Sequence, residues 1–230
     1  MHFYLKYKGD DIKGSGLPVW LETKFPMVDE TPGLDKKLLT GDPASLRLIE
    51  GQDVIFHDRN INFDFFDQHK NIHIVSENFL RMLAGLKMDY AYAKLNAFIM
   101  DSKQRAVRIT HKSYFVCAIS TELEAIDLGR SEYRLDRADD GSIIYLDEEK
   151  KQPRLKYIYK YLVDTQKTNR YDLFRPKELP AKLVASPDFL MKARQENLLG
   201  LDFPSTVDVD LMDFPGYRRG QRIVDRFPEG

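Results

Sequence analysis

Apolar and polar positions alternate with a period of two along much of this chain, and the period lengthens to that of a helix at two places. Phe3, Leu5 and Tyr7 alternate with their neighbours, which predicts a first strand over 3–7. Residues 156–163 alternate more fully, with Tyr157, Tyr159 and Tyr161 on one face and Ile158, Lys160 and Leu162 on the other. Shorter apolar runs predict strands at 19–21, 54–56, 61–66, 72–75, 113–119, 171–174 and 183–185, with 97–100 and 106–110 as a strand pair. The helical period begins at Ser76, where Phe79, Leu80, Leu83 and Leu86 share one face and Met82 lies at its margin. The second helix opens at Ser186, with Pro187 at the first helical position, where its missing N–H costs nothing; it is predicted to run to about Asn197 and stop near Gly200. Residues 90–95 read as a further short helix, 34–39 as one helical turn, and 123–128 as a turn of helix or a strand end. Residues 136–151 are strongly charged around Asp139-Asp140-Gly141 and read as an exposed hairpin or connection.

These elements predict an α+β fold with a mixed, mainly antiparallel sheet and two or more packed helices. Residues 1–205 form the domain and 206–230 an irregular tail rich in Pro, Asp and Arg. Two similar lobes, 1–135 and 152–205, are allowed by the repetition.

Composition narrows the class. The chain has 230 residues, 43% hydrophobic and 31% charged, which places it among globular rather than disordered sequences. A formal net charge of -1 gives no basic field for nucleic acid. No stretch approaches the ~20 apolar residues of a membrane span, and the start reaches Lys6 without a signal-peptide core, so the reading is cytoplasmic. The single cysteine, Cys117, excludes an internal disulfide and sits in an apolar run as a core residue.

Candidate chemistry is sparse. His69 and His73 have metal-like spacing only if helical, and they fall where a loop enters a strand, with Asp64 and Asp67 nearby. Glu22 and Lys24, with Asp10 and Asp11 upstream, have the residue types of a metal-dependent nuclease, but a surface ion pair is the simpler reading. Gly14-Ser15-Gly16 lacks the glycine and helix of a phosphate cradle, and Arg218-Arg219-Gly220-Gln221-Arg222 reads as a solvated tail. No catalytic residue, metal site or cofactor is therefore assigned, and a small metal-dependent hydrolase or nuclease, or a non-catalytic interaction module of another system, stands as the alternative. Partner binding is better served. Asp202, Asp208, Asp210 and Asp213 follow one another with no basic residue between, and acids of this kind complement a basic partner surface. The 12 Tyr and 14 Phe could anchor an interface or fill a core.

The two helix starts are variants of one device, Val75-Ser76-Glu77-Asn78-Phe79-Leu80 and Ala185-Ser186-Pro187-Asp188-Phe189-Leu190. Between them come Tyr114-Phe115-Val116, then Ile126-Asp127-Leu128 with Ser131, then Leu173-Phe174-Arg175; after them comes Asn197-Leu198-Leu199-Gly200-Leu201-Asp202-Phe203. In that order these segments, spanning roughly 60–205, resemble an immunity-protein family of bacterial polymorphic toxin systems, the eleventh catalogued and formerly a domain of unknown function. The resemblance implies a protein encoded beside a toxin, which it binds stoichiometrically and blocks without catalysis. It carries over Ser76, Asp127, Ser131, Phe174, Arg175, Ser186 and Gly200 as positions of structural role: caps, a turn, a helix stop and core contacts.

Overall fold

Strands dominate the structure, as the two-residue period requires. The computed structural model describes residues 2–7, 21–23, 42–56, 61–69, 71–100, 103, 105–149, 151–179 and 182–207. Among these the chain runs β1 (Phe3–Tyr7), β2 (Leu21–Thr23), α1 (Pro43–Arg47), β3 (Asp53–Phe56), β4 (Phe65–His69), β5 (Ile72–Ser76) and α2 (Glu77–Leu83). It continues through β6 (Tyr90–Lys94), β7 (Asn96–Met100), β8 (Ala106–Arg108), β9 (Tyr114–Ile119), β10 (Glu122–Leu123) and β11 (Glu132–Leu135). The last elements are β12 (Tyr145–Asp147), β13 (Gln152–Pro153), β14 (Leu155–Lys160), α3 (Thr165–Thr168), β15 (Leu173–Pro176), β16 (Leu183–Ala185), α4 (Pro187–Gln195) and β17 (Leu201–Asp202). This is an α+β fold, and most of its ladders are antiparallel; β3–β7 and β10–β15 are parallel.

Two sheets share one plan. The first has the order β4-β5-β9-β6, and the second β15-β16-β1-β17 with β10 added outside β15. In each, a hairpin leads into a helix, and the chain after the helix returns as the outer strand. A strand from elsewhere fills the gap between: β9 in the first sheet, β1 in the second. The registers correspond as well. Val75 pairs with Phe115 and Ala185 with Phe3, each one residue before the Ser that opens a helix. A division of the chain at 135 and 152 therefore leaves β1 in sequence with one half and in space with the other.

The cores follow from these layers. One face of the first sheet, through Ile74, Ala93 and Val116, packs on Val54, Phe56 and the α1 segment at Leu46 and Ile49. Its other face, through Phe65, Val75, Cys117 and Ile119, shares a core with both long helices and with Leu5, Leu173, Leu183 and Ala185 of the second sheet. The opposite face of the second sheet, through Tyr4, Phe174 and Val184, packs on Tyr133, Leu135, Ile158 and Tyr161. Both faces of β1 are thus covered, which explains a strand more apolar than simple alternation requires.

Several local expectations are revised. Residues 90–95 form strand β6 rather than a helix, because Ala91, Ala93 and Leu95 are buried while Tyr92 and Lys94 face outward. The strand expected at 61–66 begins only at Phe65; Asp64 before it is held by bonds to a distant segment. Helices α1 and α3 arise where the pattern predicted no element, each opened by an Asp whose carboxylate accepts first-turn N–H groups, Asp42 and Asp164. The second long helix stops at Gln195, earlier than Gly200. Asn197 takes the left-handed conformation, φ 52, and Leu198 N–H donates to the Ala193 carbonyl at 3.1 Å, so Asn closes a Schellman turn. Order continues beyond 205: Thr206 is buried, its N–H donates to the His2 carbonyl, and its carbonyl accepts from Tyr161 N–H. The strand segment at 19–20 and the helical turn at 34–39 lie outside the described residues.

Candidate partner-binding surface

The two Ser-capped helices are locked to each other by a pair of aspartates. Ser76 is fully buried; its hydroxyl accepts from Phe79 N–H at 3.2 Å and donates to Asp64 Oδ1 at 2.5 Å. The other oxygen of Asp64 accepts from Leu199 N–H at 2.8 Å, on the segment that follows α4. The second centre repeats this. Ser186 Oγ accepts from Phe189 N–H at 3.1 Å and donates to Asp172 Oδ1 at 3.0 Å, while Asp172 Oδ2 accepts from Lys87 N–H at 2.8 Å, on the segment that follows α2. Each Asp also donates its own backbone N–H to the carbonyl of the residue it holds, Asp64 to Leu199 and Asp172 to Lys87. So each hairpin caps its own helix and clamps the end of the other one. Phe79 and Phe189, three residues into each device, meet with ring centroids 6.2 Å apart. The centres differ in one respect: Lys112 Nζ stands 2.8 Å from Asp64 Oδ1, and both side chains are largely buried.

The other marker positions are also internal. Ser131 Oγ accepts from Leu162 N–H at 2.9 Å, and Ser131 N–H donates to the Asp127 carbonyl at 2.9 Å, pinning a turn against the 162 segment. Phe174 is fully buried. Arg175 is buried with Nε donating to the Ile119 carbonyl at 2.9 Å and Nη2 3.2 Å from Glu122, which ties the end of β9 to β15; burial lowers its pKa and Glu122 opposes that. Gly200, φ 81, lies so close to β4 that a Cβ would come within 3.0 Å of the Phe65 carbonyl oxygen and 3.1 Å of Phe63 Cβ. It serves close approach, not helix termination. Sequence reasoning named Asp64 only beside the histidine pair and missed Asp172 and Lys112. Each Asp stands just before the hairpin that leads into its Ser, a correspondence visible on aligning the two devices backwards.

Most of the aromatic load fills the core. The largest fully buried side chains include Tyr4, Tyr114, Tyr133, Tyr161 and six phenylalanines. An exception is Tyr92 on outer strand β6, 54% exposed, stacked on Tyr90 at 6.2 Å and edge-on to Phe115 at 5.8 Å. Of the acidic run, Asp202 is exposed on β17 with its carboxylate accepting from Phe203 N–H; Asp208, Asp210 and Asp213 lie outside the described residues. A cleft of about 240 Å³ opens between the 124–128 segment and β13–β14, with Glu178 at its edge.

Little of the candidate catalytic chemistry comes together. Asp67, His73 and Cys117 are neighbours across β4, β5 and β9. His73 Nδ1 approaches Asp67 Oδ1 at 3.2 Å without hydrogen-bond geometry, and Phe65 stacks on its ring. Cys117 is fully buried and burial pushes its thiol up to about 12, so it carries its proton at neutral pH and is no nucleophile there. Among the described residues no three His, Cys, Asp or Glu side chains gather as metal ligands. Glu22 lies on β2 opposite Ile55; Asp10, Asp11, Lys24, Gly14-Ser15-Gly16 and 218–222 lie outside the described residues. Among the described residues no helix is long and apolar enough to cross a membrane.

No curated protein matches the chain. One family does: the sequence model of Imm43, Immunity protein 43, matches residues 53–211. The matched span takes in both Ser-capped devices, the Asp127–Ser131 turn and the 197–203 closing segment. The immunity-protein resemblance holds, with family 43 in place of the eleventh. The match covers well over half of the chain, and the protein belongs to the Imm43 family of immunity proteins.

Proposed function

We propose that this protein is a non-catalytic, cytoplasmic immunity protein that binds one cognate toxin molecule and blocks its active surface. The family match over 53–211 carries the reading. A rigid core supports it: both helices and both sheets are cross-tied through Asp64 and Asp172, which suits a protein whose task is to present a preformed surface. The acidic run Asp202, Asp208, Asp210 and Asp213 belongs to the proposed contact surface, where it complements a basic toxin face.

Co-expression with the toxin encoded by the neighbouring gene tests the proposal. Growth should be restored, and the two purified chains should form a one-to-one complex on size-exclusion chromatography with light scattering. Persisting toxicity together with no complex would falsify it.

A further inference from the structure

The cleft beside Glu178 has an unusual balance of groups. Its volume, about 240 Å³, suits one large side chain rather than a drug-sized ligand. Ile126, Leu128, Pro153 and Leu155 give it apolar walls. Glu178 is half-buried there, with Oε1 and Oε2 accepting long bonds of 3.4 Å from Ile126 and Ala125 N–H, and Tyr161 O–H 3.5 Å away. Among the described residues it has no Lys or Arg partner, whereas the second carboxylate lining the cleft, Glu124, is already matched by Lys177 at 3.2 Å. Two lysines also line the cleft, Lys151 and Lys167, but both are exposed to water, and Lys167 faces Asp164 at 3.8 Å. Positive charge therefore sits where solvent screens it, while the half-buried Glu178 carboxylate has no cation against it among the described residues.

We infer that this cleft seats one basic side chain of the bound toxin, an arginine or lysine, with its cationic head against Glu178 and its methylene stem along the apolar walls. The inference rests on the immunity reading and names an anchor point for it. Charge complementarity is the argument for this occupant. A carboxylate held away from water without a counter-ion raises its own pKa, as burial does for Glu178, and a cation placed against it removes that penalty. Arg and Lys side chains also bury aliphatic stems readily while their heads stay polar.

The test uses the full-length protein and the cognate toxin in isothermal titration calorimetry. Glu178→Gln keeps the shape and an acceptor but removes the charge, and it should weaken binding by ~30-fold or more, the range for truncating one partner of a desolvated charge pair. Leu128→Arg places a guanidinium in the cleft from within and should weaken binding to a similar degree, even if Glu178→Gln folds poorly. A toxin Lys or Arg variant should lose its own effect in the Glu178→Gln background. Wild-type affinity in both immunity variants would overturn the inference and leave the immunity reading intact. So would tighter binding by Glu178→Gln with weaker binding by a Lys151→Ala/Lys167→Ala variant, because an acidic group would then occupy the cleft. Absence of any complex with the wild-type protein would instead overturn the immunity reading.

Discussion

Replacing Asp64 by alanine should cost far more stability than the same change at Asp172, although the two hold equivalent places. Asp64 is 3% exposed and its carboxylate serves three partners: the Ser76 hydroxyl at 2.5 Å, the Leu199 backbone N–H at 2.8 Å and the Lys112 ammonium at 2.8 Å. Lys112 itself is only 13% exposed at its side chain. Truncating Asp64 leaves that ammonium without its carboxylate and the Leu199 amide without an acceptor. Breaking a buried ion pair from one side costs ~3–5 kcal/mol; Leu199 is exposed, so water can reach its amide, and the ion pair sets a total of ~4 kcal/mol. Asp172 is half-buried, has no cation among the described residues, and clamps Lys87, an exposed residue whose amide water can reach. Its loss should cost ~1–2 kcal/mol, an N-cap support and one bond. Urea unfolding of Asp64→Ala and Asp172→Ala, followed by circular dichroism, measures both. Adding Lys112→Met to Asp64→Asn should recover part of the loss, because the stranded charge is removed. Equal losses at the two aspartates, or no rescue by Lys112→Met, would show that the ion pair contributes nothing and that the centres are energetically alike.

Three further outcomes follow from the same geometry. Gly200→Ala should destabilise by ~2–4 kcal/mol, combining a left-handed backbone with overpacking against the Phe65 carbonyl, and a loss under ~1 kcal/mol in urea titration would contradict the close approach. Cys117 should resist a thiol reagent such as dithionitrobenzoate in the folded protein and react at once in denaturant, since burial pushes its pKa up to about 12; rapid native-state labelling would refute this. Glu178 has a pKa raised by desolvation, so the folded chain keeps this proton to higher pH than the unfolded chain does. Its burial is free of charge cost below the ordinary carboxyl range, and stability is lost as pH rises through the raised pKa. Glu178→Gln should therefore gain on the wild type as pH rises above the ordinary carboxyl range, and a pH-independent difference would rule the linkage out.

The legible parts of this fold were those written in local spacing. Ser76 and Ser186, each followed three residues later by Phe and preceded by an apolar run, mark both long helices, because an N-cap hydroxyl and an amphipathic stripe are short-range signals. The Ala-rich alternation of 90–95 misleads, since Ala is a strong helix former and only tertiary pairing with β9 turns it into strand. Helices α1 and α3, of five and four residues, are too short to stand by propensity and exist through Asp42 and Asp164 caps. The contact surface is less legible still. Asp202 shows nothing in sequence that separates it from any solvated acid, and Glu178 acquires its meaning only from the fold that brings 124–128, 151–155 and 178 together.

The cross-clamps bear on how the two halves behave as one body. Had each Asp bonded only its own Ser, the sheets could open apart at the cost of the shared core alone. Instead Asp64 holds Leu199 and Asp172 holds Lys87, so the end of each helix is fixed by the other unit's hairpin. The second sheet also lacks its central strand unless β1 is supplied from the far end of the chain. Residues 152–205 alone would expose the edges of Leu183–Ala185 and Leu201–Asp202 and leave Asp172 and Phe189 without their partners Lys87 and Phe79. A fragment of that span should therefore not fold, whereas adding residues 1–7 in trans should not suffice, because half of the clamp lies between Asp64 and Lys87. The repeated plan reads as two similar units in topology and one cooperative unit in energetics, which fits a protein that must keep its contact surface in a single shape.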